Sequence, residues 1–311
     1  MAQIDCALIE PFNAIGAAEP LPLSSRAASW LRWLGPGISA AILLAVAYQL
    51  RSLDLATIKA LVPRTAAFWL VFVVYYLAMP VTEWMIFRRL WRIPLTGIIP
   101  LLRKMIGNEI VVGYIGEVYF YAWARRRANL VGAPFGAIKD VSILSALIGN
   151  AFTIALLAIA YPALGMLHLG IRSRALYLSI GIVLLTSLAL MLFRRRLFSL
   201  PAADLRFIAA AHAVRVVGKM ALAALLWHLA LPAVALVWWL VLSTLRQLLS
   251  RLPLLPNKDI AFAGLAVFLI GHDLQIGALM TMIASVTLAV HLAVGGLLSL
   301  GEFATPERAS C

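Results

Sequence analysis

Residues 66–87, AAFWLVFVVYYLAMPVTEWMIF, form an apolar stretch that contains a single charged side chain, that of Glu83. A helix needs about 20 predominantly apolar residues to cross the hydrocarbon core of a bilayer. The stretch therefore predicts a membrane-spanning helix, and the chain on either side repeats the pattern. Similar stretches occupy residues 31–50, 141–163, 175–193, 212–231, 233–250 and 275–299.

The composition of the chain agrees with this prediction. Of its 311 residues, 63% are hydrophobic, whereas soluble domains are about 45–50% apolar. Because a water-soluble core cannot bury so large an apolar fraction, most of these side chains are expected to face lipid or neighbouring helices. We predict an all-α, polytopic membrane helix bundle with about seven spanning helices. Residues 29–301 are expected to form its single transmembrane domain, residues 1–28 a disordered cytoplasmic tail and residues 302–311 a short C-terminal tail.

Two further apolar segments, Asn108–Trp123 and Asp259–Gly271, are too short or too interrupted to cross the membrane simply. Each contains glycine and ionisable residues. Irregular backbone at membrane depth is tolerated only where protein or a water-filled cavity covers it. We therefore predict that both are re-entrant or broken helical segments.

The basic residues lie in clusters that border the apolar stretches. The net charge is +13, and clusters such as 88–92, 125–127 and 194–196 contribute much of it. Cytoplasmic loops of membrane proteins carry an excess of Lys and Arg, and such clusters attract anionic lipid headgroups. The charge therefore predicts a multi-pass protein of the inner (cytoplasmic) membrane with a cytoplasmic N-terminus, and no nucleic-acid partner.

Glycines and carboxylates are concentrated in the first broken segment. Gly113 and Gly116 are three residues apart, a spacing that permits a tight turn or a close approach of helices. Glu117 follows directly, and Glu109 precedes them. On one continuous helix these four residues would share a narrow polar face, which would suit the wall of a cavity.

Glu117 has two interpretations. A carboxylate at membrane depth must be paired, protonated or directed into a cavity. An ion pair with Arg103, Lys104 or an arginine of 125–127 would fix the segment in place. A gate or proton-responsive site beside a headgroup path would give Glu117 a functional role. The two interpretations are compatible.

A basic stripe begins the span at residues 212–231. His212, Arg215 and Lys219 are three and four residues apart and therefore share one helix face. Arg215 either extends toward the cytoplasmic headgroups or lines the site. Lys219 lies two turns into the span, so it is predicted to contact phosphate or to pair with Glu117 or Glu83.

A loop near the C-terminus, Leu252-Pro-Leu-Leu-Pro-Asn-Lys-Asp259, leads into the second broken segment. Its prolines end the preceding helix, and its Asn and Asp can cap a new one. Since helix N-termini attract phosphate, Lys258 and Asp259 are candidates for headgroup contacts. The alternative is a capped connection with no ligand.

Motifs typical of enzymes are absent from the sequence. It contains no His-Glu-x-x-His, Gly-x-Ser-x-Gly, phosphate-loop or Asp-rich metal motif. Cys6 and Cys311 lie at opposite ends and provide neither a disulfide framework nor metal spacing. We predict that the chain is not an enzyme and needs no metal or cofactor. Glu83 and Asn150, each inside a span, are expected to make hydrogen bonds between helices.

Two short motifs resemble those of the lysylphosphatidylglycerol synthase transmembrane-region family, a flippase-like domain. Gly113-Tyr-Ile-Gly-Glu117 is similar to the family's Pro-Gly-x-x-Gly-Glu, with Val112 in place of Pro. Leu252-Pro-Leu-Leu-Pro256 is similar to its Leu-Pro-x-x-Pro, and the spacing of the spans agrees over most of residues 30–300. The family's following Gly-Gly-x-Gly-x-x-Glu is replaced here by Asn257–Ala263, which lacks the glycines and the glutamate.

The resemblance implies a membrane domain that binds and translocates amphipathic lipids, or that assists an enzyme that uses them. It does not extend to the family's soluble aminoacyl-transferase domain, so lysyl transfer is not expected. We predict a translocator of lipids or lipid-linked intermediates that is not driven by ATP and whose ligand is an anionic or polyprenyl-phosphate-type lipid. The alternative is a non-catalytic membrane subunit that supports a lipid-modifying enzyme or glycosyltransferase. The residues predicted to line the headgroup site are Glu109, Gly113, Gly116, Glu117, Arg215, Lys219, Lys258 and Asp259.

Overall fold

The computed structural model describes residues 63–111, 114–126, 134–164, 198–232, 236–250 and 274–304, together with the single positions 185 and 234. Within these ranges the chain is helical apart from short turns and contains no β-strand. The α-helices are α1 (Ala66–Trp91), α2 (Ile98–Ile110), α3 (Ile115–Arg126), α4 (Pro134–Leu164), α5 (Ala202–Ala230), α6 (Leu236–Ser250) and α7 (Leu274–Ala304).

Four of these helices are long and apolar enough to cross a membrane. They are Ala66–Trp91, the Pro134–Leu156 part of α4, Ala202–Ala230 and the Met282–Gly301 part of α7. The spans predicted at 66–87, 141–163, 212–231 and 275–299 fall on them. The four helices indicate a multi-pass membrane protein, and the prediction of an all-helical fold is confirmed for the described residues.

The remaining predicted elements divide into two groups. Outside the described residues lie residues 31–50, residues 175–193 apart from position 185, the whole second broken segment, the predicted N-terminal tail and residues 305–311. The span predicted at 233–250 corresponds to α6, which has 15 residues. Helix α7 continues to Ala304, three residues into the predicted C-terminal tail.

Helix α5 begins ten residues before the apolar stretch that predicted it. Pro201 precedes its first turn, and Asp204 lies within that turn, where a carboxylate favours the positive end of the helix dipole. Asp204 pairs with Arg89 at 3.0 Å, and Ile208 is fully buried against neighbouring helices. Tertiary contacts therefore extend the helix through a segment that is too polar to be recognised as a span.

The end of α1 directs the chain into the next helix. Arg92 adopts a left-handed conformation with φ 53°, and its N–H donates to the carbonyl of Arg88 at 2.8 Å. Pro94 then leads into a 3-10 turn at Leu95–Gly97. A Cβ atom at Gly97 would lie 2.8 Å from Cδ1 of Ile93, so a larger residue would require the end of that side chain to shift. The chain reverses in this turn, and α2 packs beside α1.

Helices α1 and α5 pack side by side and run antiparallel. Arg89 meets Asp204 near one end of the pair, while Tyr75 meets Lys219 farther along. Helices α4 and α6 pack on the other sides of α5, and α7 packs on α2. Aromatic side chains fill the interior between them, and Phe68, Phe87, Phe120, Trp227 and Trp239 are completely or almost completely buried.

The outer surfaces of the spans are apolar. Less than half of each span's most apolar window is buried inside the fold. The exposed side chains of α1, α5 and α7 include Leu70, Val73, Val214, Leu225 and Leu297. Such a surface matches the hydrocarbon core of a bilayer and would be unfavourable in water.

Candidate functional site

A hairpin of two short helices lies against α1. Helices α2 and α3 have 13 and 12 residues, which at 1.5 Å per residue gives each a length of about 20 Å or less. They run antiparallel, since Arg103 contacts Tyr119 while Asn108 contacts Gly116. The first broken segment is thus two helices joined by a turn, as a re-entrant segment would be.

The prediction that Glu109, Gly113, Gly116 and Glu117 share the face of one continuous helix is wrong. The helix ends at Ile110, and a new one begins at Ile115 after a turn in which Tyr114 adopts φ 71°. Glu109 and Glu117 therefore lie on different helices. Glu109 is exposed, whereas Glu117 is partly buried inside the fold.

Gly116 allows α2 and α3 to approach closely. A Cβ atom at this position would overlap the backbone carbonyl of Lys104 and would also crowd the side chain of Asn108. The N–H of Gly116 donates to the side-chain carbonyl of Asn108 at 2.7 Å. The role predicted for this glycine from its spacing is therefore seen as a backbone contact between helices.

An ion pair lies buried between α1 and the hairpin. Nζ of Lys104 donates to Oε1 of Glu83 at 2.7 Å. The residues are 1% and 4% exposed, so water screens the pair very little. The lysine also lies 5.9 Å from the centroid of the Phe120 ring. Desolvating two ions is costly unless they are paired and well hydrogen-bonded, so the pair makes the position of the hairpin on α1 specific.

Glu117 is the second carboxylate of the same lysine. Its Oε1 lies 3.6 Å from Nζ of Lys104, and its Oε2 accepts a hydrogen bond of 2.9 Å from the side-chain amide of Asn108. Lys104 is thus held closely by Glu83 and more loosely by Glu117. The predicted ion pair of Glu117 is present, with Lys104 as the partner.

The basic stripe of α5 borders this cluster. Arg215 is partly buried, donates to Oγ of Ser145 on α4 at 2.8 Å and lies near enough to Glu83 for electrostatic attraction. This sideways contact differs from an extension toward headgroups. His212 is fully buried near Lys104 and Arg215. Its ring nitrogens meet no hydrogen-bond partner of normal geometry within the described ranges, although the backbone of Val141 lies nearby.

Lys219 does not form the ion pair with Glu83 or Glu117 that was one of its predicted contacts. Both carboxylates pair with Lys104 instead. The Lys219 ammonium lies 4.7 Å from the centroid of the Tyr75 ring. Its long side chain reaches α1 just over two turns away from Glu83, a distance along the helix that sequence spacing alone does not reveal.

The predicted site residues therefore separate into three groups. Gly116, Glu117 and Arg215 lie in or beside the cluster of Glu83 and Lys104. Glu109 and Lys219 do not. Gly113, Lys258 and Asp259 lie outside the described residues.

Two central members of the site were not among the residues predicted to line it. Lys104 was named only as one of several possible partners of Glu117, and no role was predicted for Asn108. The spacing of Lys104 and Asn108 could have indicated both residues, because residues four apart share a helix face. In the structure this face is directed at Glu117. Within the part of the chain that the structure describes, no three His, Cys, Asp or Glu side chains come together as metal ligands.

Comparisons with protein-family models, with curated proteins and with solved structures found no match to this chain.

Proposed function

We propose that the chain translocates lipids or lipid-linked intermediates across the inner membrane without ATP. The observation that carries the proposal is a buried charge cluster at the side of a helical hairpin whose first helix, α2, is too short to cross the bilayer. Charged groups inside membrane proteins are costly and typically mark substrate or ion pathways. Interrupted helices form the binding sites of many transporters. The resemblance to the flippase-like family points to the same function.

The shared lysine provides a means of responding to a headgroup. Lys104 contacts Glu83 at 2.7 Å and Glu117 at 3.6 Å, so Glu117 is the carboxylate that a ligand can displace more easily. The phosphate of an anionic or polyprenyl-phosphate-type lipid would compete with Glu117 for the ammonium group. Glu117 would then keep only its contact with Asn108, and α3 would lose one of its attachments to α2.

The substrate path in this proposal follows the hairpin. Glu83 lies on a long spanning helix, whereas Lys104 and Glu117 lie on the short helices α2 and α3. Movement of the hairpin relative to α1 would therefore open and close the polar cluster. We propose about seven spans and a cytoplasmic N-terminus for the complete fold, because cytoplasmic loops carry an excess of basic residues.

The test is lipid scrambling by the purified chain in liposomes. Short-chain fluorescent phosphatidylglycerol and a fluorescent polyprenyl-phosphate analogue are placed in the membrane, and the fraction that a membrane-impermeant quencher reaches is followed with time. The wild type should transport at least one of them. The rate should fall about tenfold or more in Glu117→Gln, since a hydrogen bond to a charged group is worth about 1.5–3 kcal/mol.

Asp204→Asn is the control, because it also neutralises a carboxylate, in an ion pair with Arg89 that lies outside the cluster. It should transport at the wild-type rate. Normal transport by folded Glu117→Gln would contradict the role of this carboxylate. If correctly inserted wild-type protein moves neither lipid, the translocator proposal fails and the subunit alternative takes its place.

A further inference from the structure

Two cations converge on one tyrosine, away from the charge cluster described above. Nη1 of Arg246 on α6 donates a hydrogen bond of 2.6 Å to the Tyr75 hydroxyl, and its Cζ lies 5.6 Å from the ring centroid. The Lys219 ammonium on α5 lies 4.7 Å from the same centroid. Tyr75 is buried, with 7% of its surface exposed, while both cations are partly accessible. Three helices thus contribute one side chain each.

The register of α5 and α6 brings the two cations to the same depth. The helices run antiparallel, and Trp227 and Trp239 pack near the connecting turn with ring centroids 5.9 Å apart. Lys219 lies about three turns before the end of α5, and Arg246 lies about three turns after the start of α6. The convergence on Tyr75 is therefore a consequence of the packing of the two helices.

The contacts of Lys219 leave its charge incompletely compensated. Among the described residues, no carboxylate lies at ion-pair distance from it. A cation–π contact provides about 2 kcal/mol when it is desolvated, whereas removing an ion from water costs several kcal/mol. Arg246 adds a second positive charge on the same ring. An anion that contacts Lys219 beside the ring would reduce the desolvation penalty of the ammonium group.

We propose that Tyr75, Lys219 and Arg246 bind one phosphate group, and that this phosphate belongs to a lipid headgroup. The Lys219 ammonium provides a point charge, and a guanidinium N–H of Arg246 is a strong donor to a phosphate oxygen. Because the Tyr75 oxygen accepts the hydrogen bond from Arg246, its own O–H remains available to donate to the same anion. The assignment to a lipid rests on the proposed translocator function.

This site extends the polar surface of the fold along α1. Tyr75 and Glu83 are about 12 Å apart on this helix, and Arg215 lies one turn from Lys219 on α5. A phosphate that leaves the Tyr75 site would next meet Arg215 and then Lys104. The two sites are thus successive positions for one headgroup.

The experiment measures binding to the purified full chain in a non-ionic detergent. The probes are dioctanoyl phosphatidylglycerol, inorganic phosphate and dioctanoylglycerol, which lacks phosphate, and each is titrated calorimetrically. Phosphatidylglycerol should bind saturably and dioctanoylglycerol should not. Lys219→Gln and Arg246→Gln should each weaken phosphatidylglycerol binding about tenfold or more, since a charged hydrogen bond is worth about 1.5–3 kcal/mol. Tyr75→Phe should weaken it less, because the ring remains.

Arg89→Gln is the matched control. Arg89 also lies over an aromatic ring, that of Phe207 at 4.5 Å, but it already pairs with Asp204. This variant should bind like the wild type. Lys219→Arg keeps the charge and should retain binding, which separates loss of the site from loss of the fold. Circular dichroism of each variant verifies its helical content.

The outcomes separate this proposal from the proposed function. If Lys219→Gln and Arg246→Gln bind phosphatidylglycerol like the wild type, the site is refuted even where scrambling is observed. Inorganic phosphate that competes in the low micromolar range would refute the lipid assignment and leave a site for free phosphate. If binding depends on both cations but the wild type scrambles no lipid, the anion site stands and the translocator proposal fails.

Discussion

The ammonium group of Lys104 on α2 donates a hydrogen bond of 2.7 Å to the carboxylate of Glu83 on α1, and both side chains are almost completely buried. The two residues are 21 positions apart in the sequence. The turn at Leu95–Gly97 brings them together by reversing the chain between the helices. The pair therefore connects a membrane-spanning helix with the hairpin that carries Glu117.

Removal of Lys104 should be strongly destabilising, and simultaneous removal of Glu83 should restore much of the loss. Lys104→Met leaves a buried carboxylate without its closest counter-charge, which costs about 3–5 kcal/mol. The double variant Glu83→Gln/Lys104→Met leaves no unpaired charge at this position and should recover at least half of the stability that Lys104→Met loses. Unfolding in mixed micelles, followed by circular dichroism, gives the free energies. Equal stability of Lys104→Met and the double variant would contradict the prediction, because the buried carboxylate would then carry no penalty.

Gly116→Ala should destabilise the hairpin. The added Cβ overlaps the carbonyl of Lys104, and forced overpacking of this kind costs about 1–3 kcal/mol or more. Gly218→Ala on α5 is the matched control, since no atom lies within 4 Å of the position that its Cβ would take. This control should be neutral or stabilising by up to about 1 kcal/mol, because alanine favours the helix. The same unfolding measurement compares them, and a stable Gly116→Ala would contradict the close approach.

Tyr76 connects α1 with α7. Its hydroxyl lies 3.1 Å from Nδ1 of His291, and the two rings are in contact with centroids 5.1 Å apart. Tyr76→Phe keeps the ring and removes the hydrogen bond, so it should lower the free energy of unfolding by about 1 kcal/mol. Tyr114→Phe makes the same change at an exposed position and should have no effect. Equal unfolding curves for the two variants would argue against the hydrogen bond.

Asp140 on α4 fixes the start of α5. Its buried Oδ2 accepts hydrogen bonds from N–H and Oγ of Ser199 and from N–H of Leu200, at 2.7, 3.0 and 2.8 Å. Asp140→Asn removes the negative charge that accepts these hydrogen bonds, so it should lower the free energy of unfolding by about 1.5–3 kcal/mol.

Asp204→Asn is the comparison for this prediction, because Asp204 pairs with Arg89 at a partly exposed site. Exposed ion pairs contribute at most about 1 kcal/mol, so this variant should be much closer to the wild type. Thermal unfolding in detergent ranks the two variants. A larger effect at Asp204 than at Asp140 would contradict the assignment.

Several features of the fold follow from the sequence alone. The apolar stretches at 66–87, 141–163, 212–231 and 275–299 predicted the four long apolar helices, because an uninterrupted apolar segment of this length has few alternatives to a spanning helix. The interruption of the segment after Asn108 was also predictable. Its glycines and carboxylates are incompatible with a simple span, and the structure has a turn between α2 and α3 there.

The partners of the charged side chains could not be predicted in the same way. Lys219 was expected to contact phosphate or to pair with Glu83 or Glu117, and it contacts Tyr75 rather than either carboxylate. Lys104 was one of several cations considered for Glu117, whereas it is the shared partner of both carboxylates. Spacing along one helix defines a face, but it does not tell which helix packs on that face or at what depth.

Hydrophobic length and charge pattern determined that this chain is a helical membrane protein, because an apolar segment long enough to cross the bilayer pairs its backbone polar groups within its own helix, whatever it packs against. The tertiary structure decided which buried charges are paired. That choice depends on the crossing of α1 with the α2–α3 hairpin and on the register of α5 against α6, where a shift of one turn moves a side chain by about 5.4 Å. Such a shift is larger than the 2.7 Å contact between Lys104 and Glu83, so only the packed helices specify the pair.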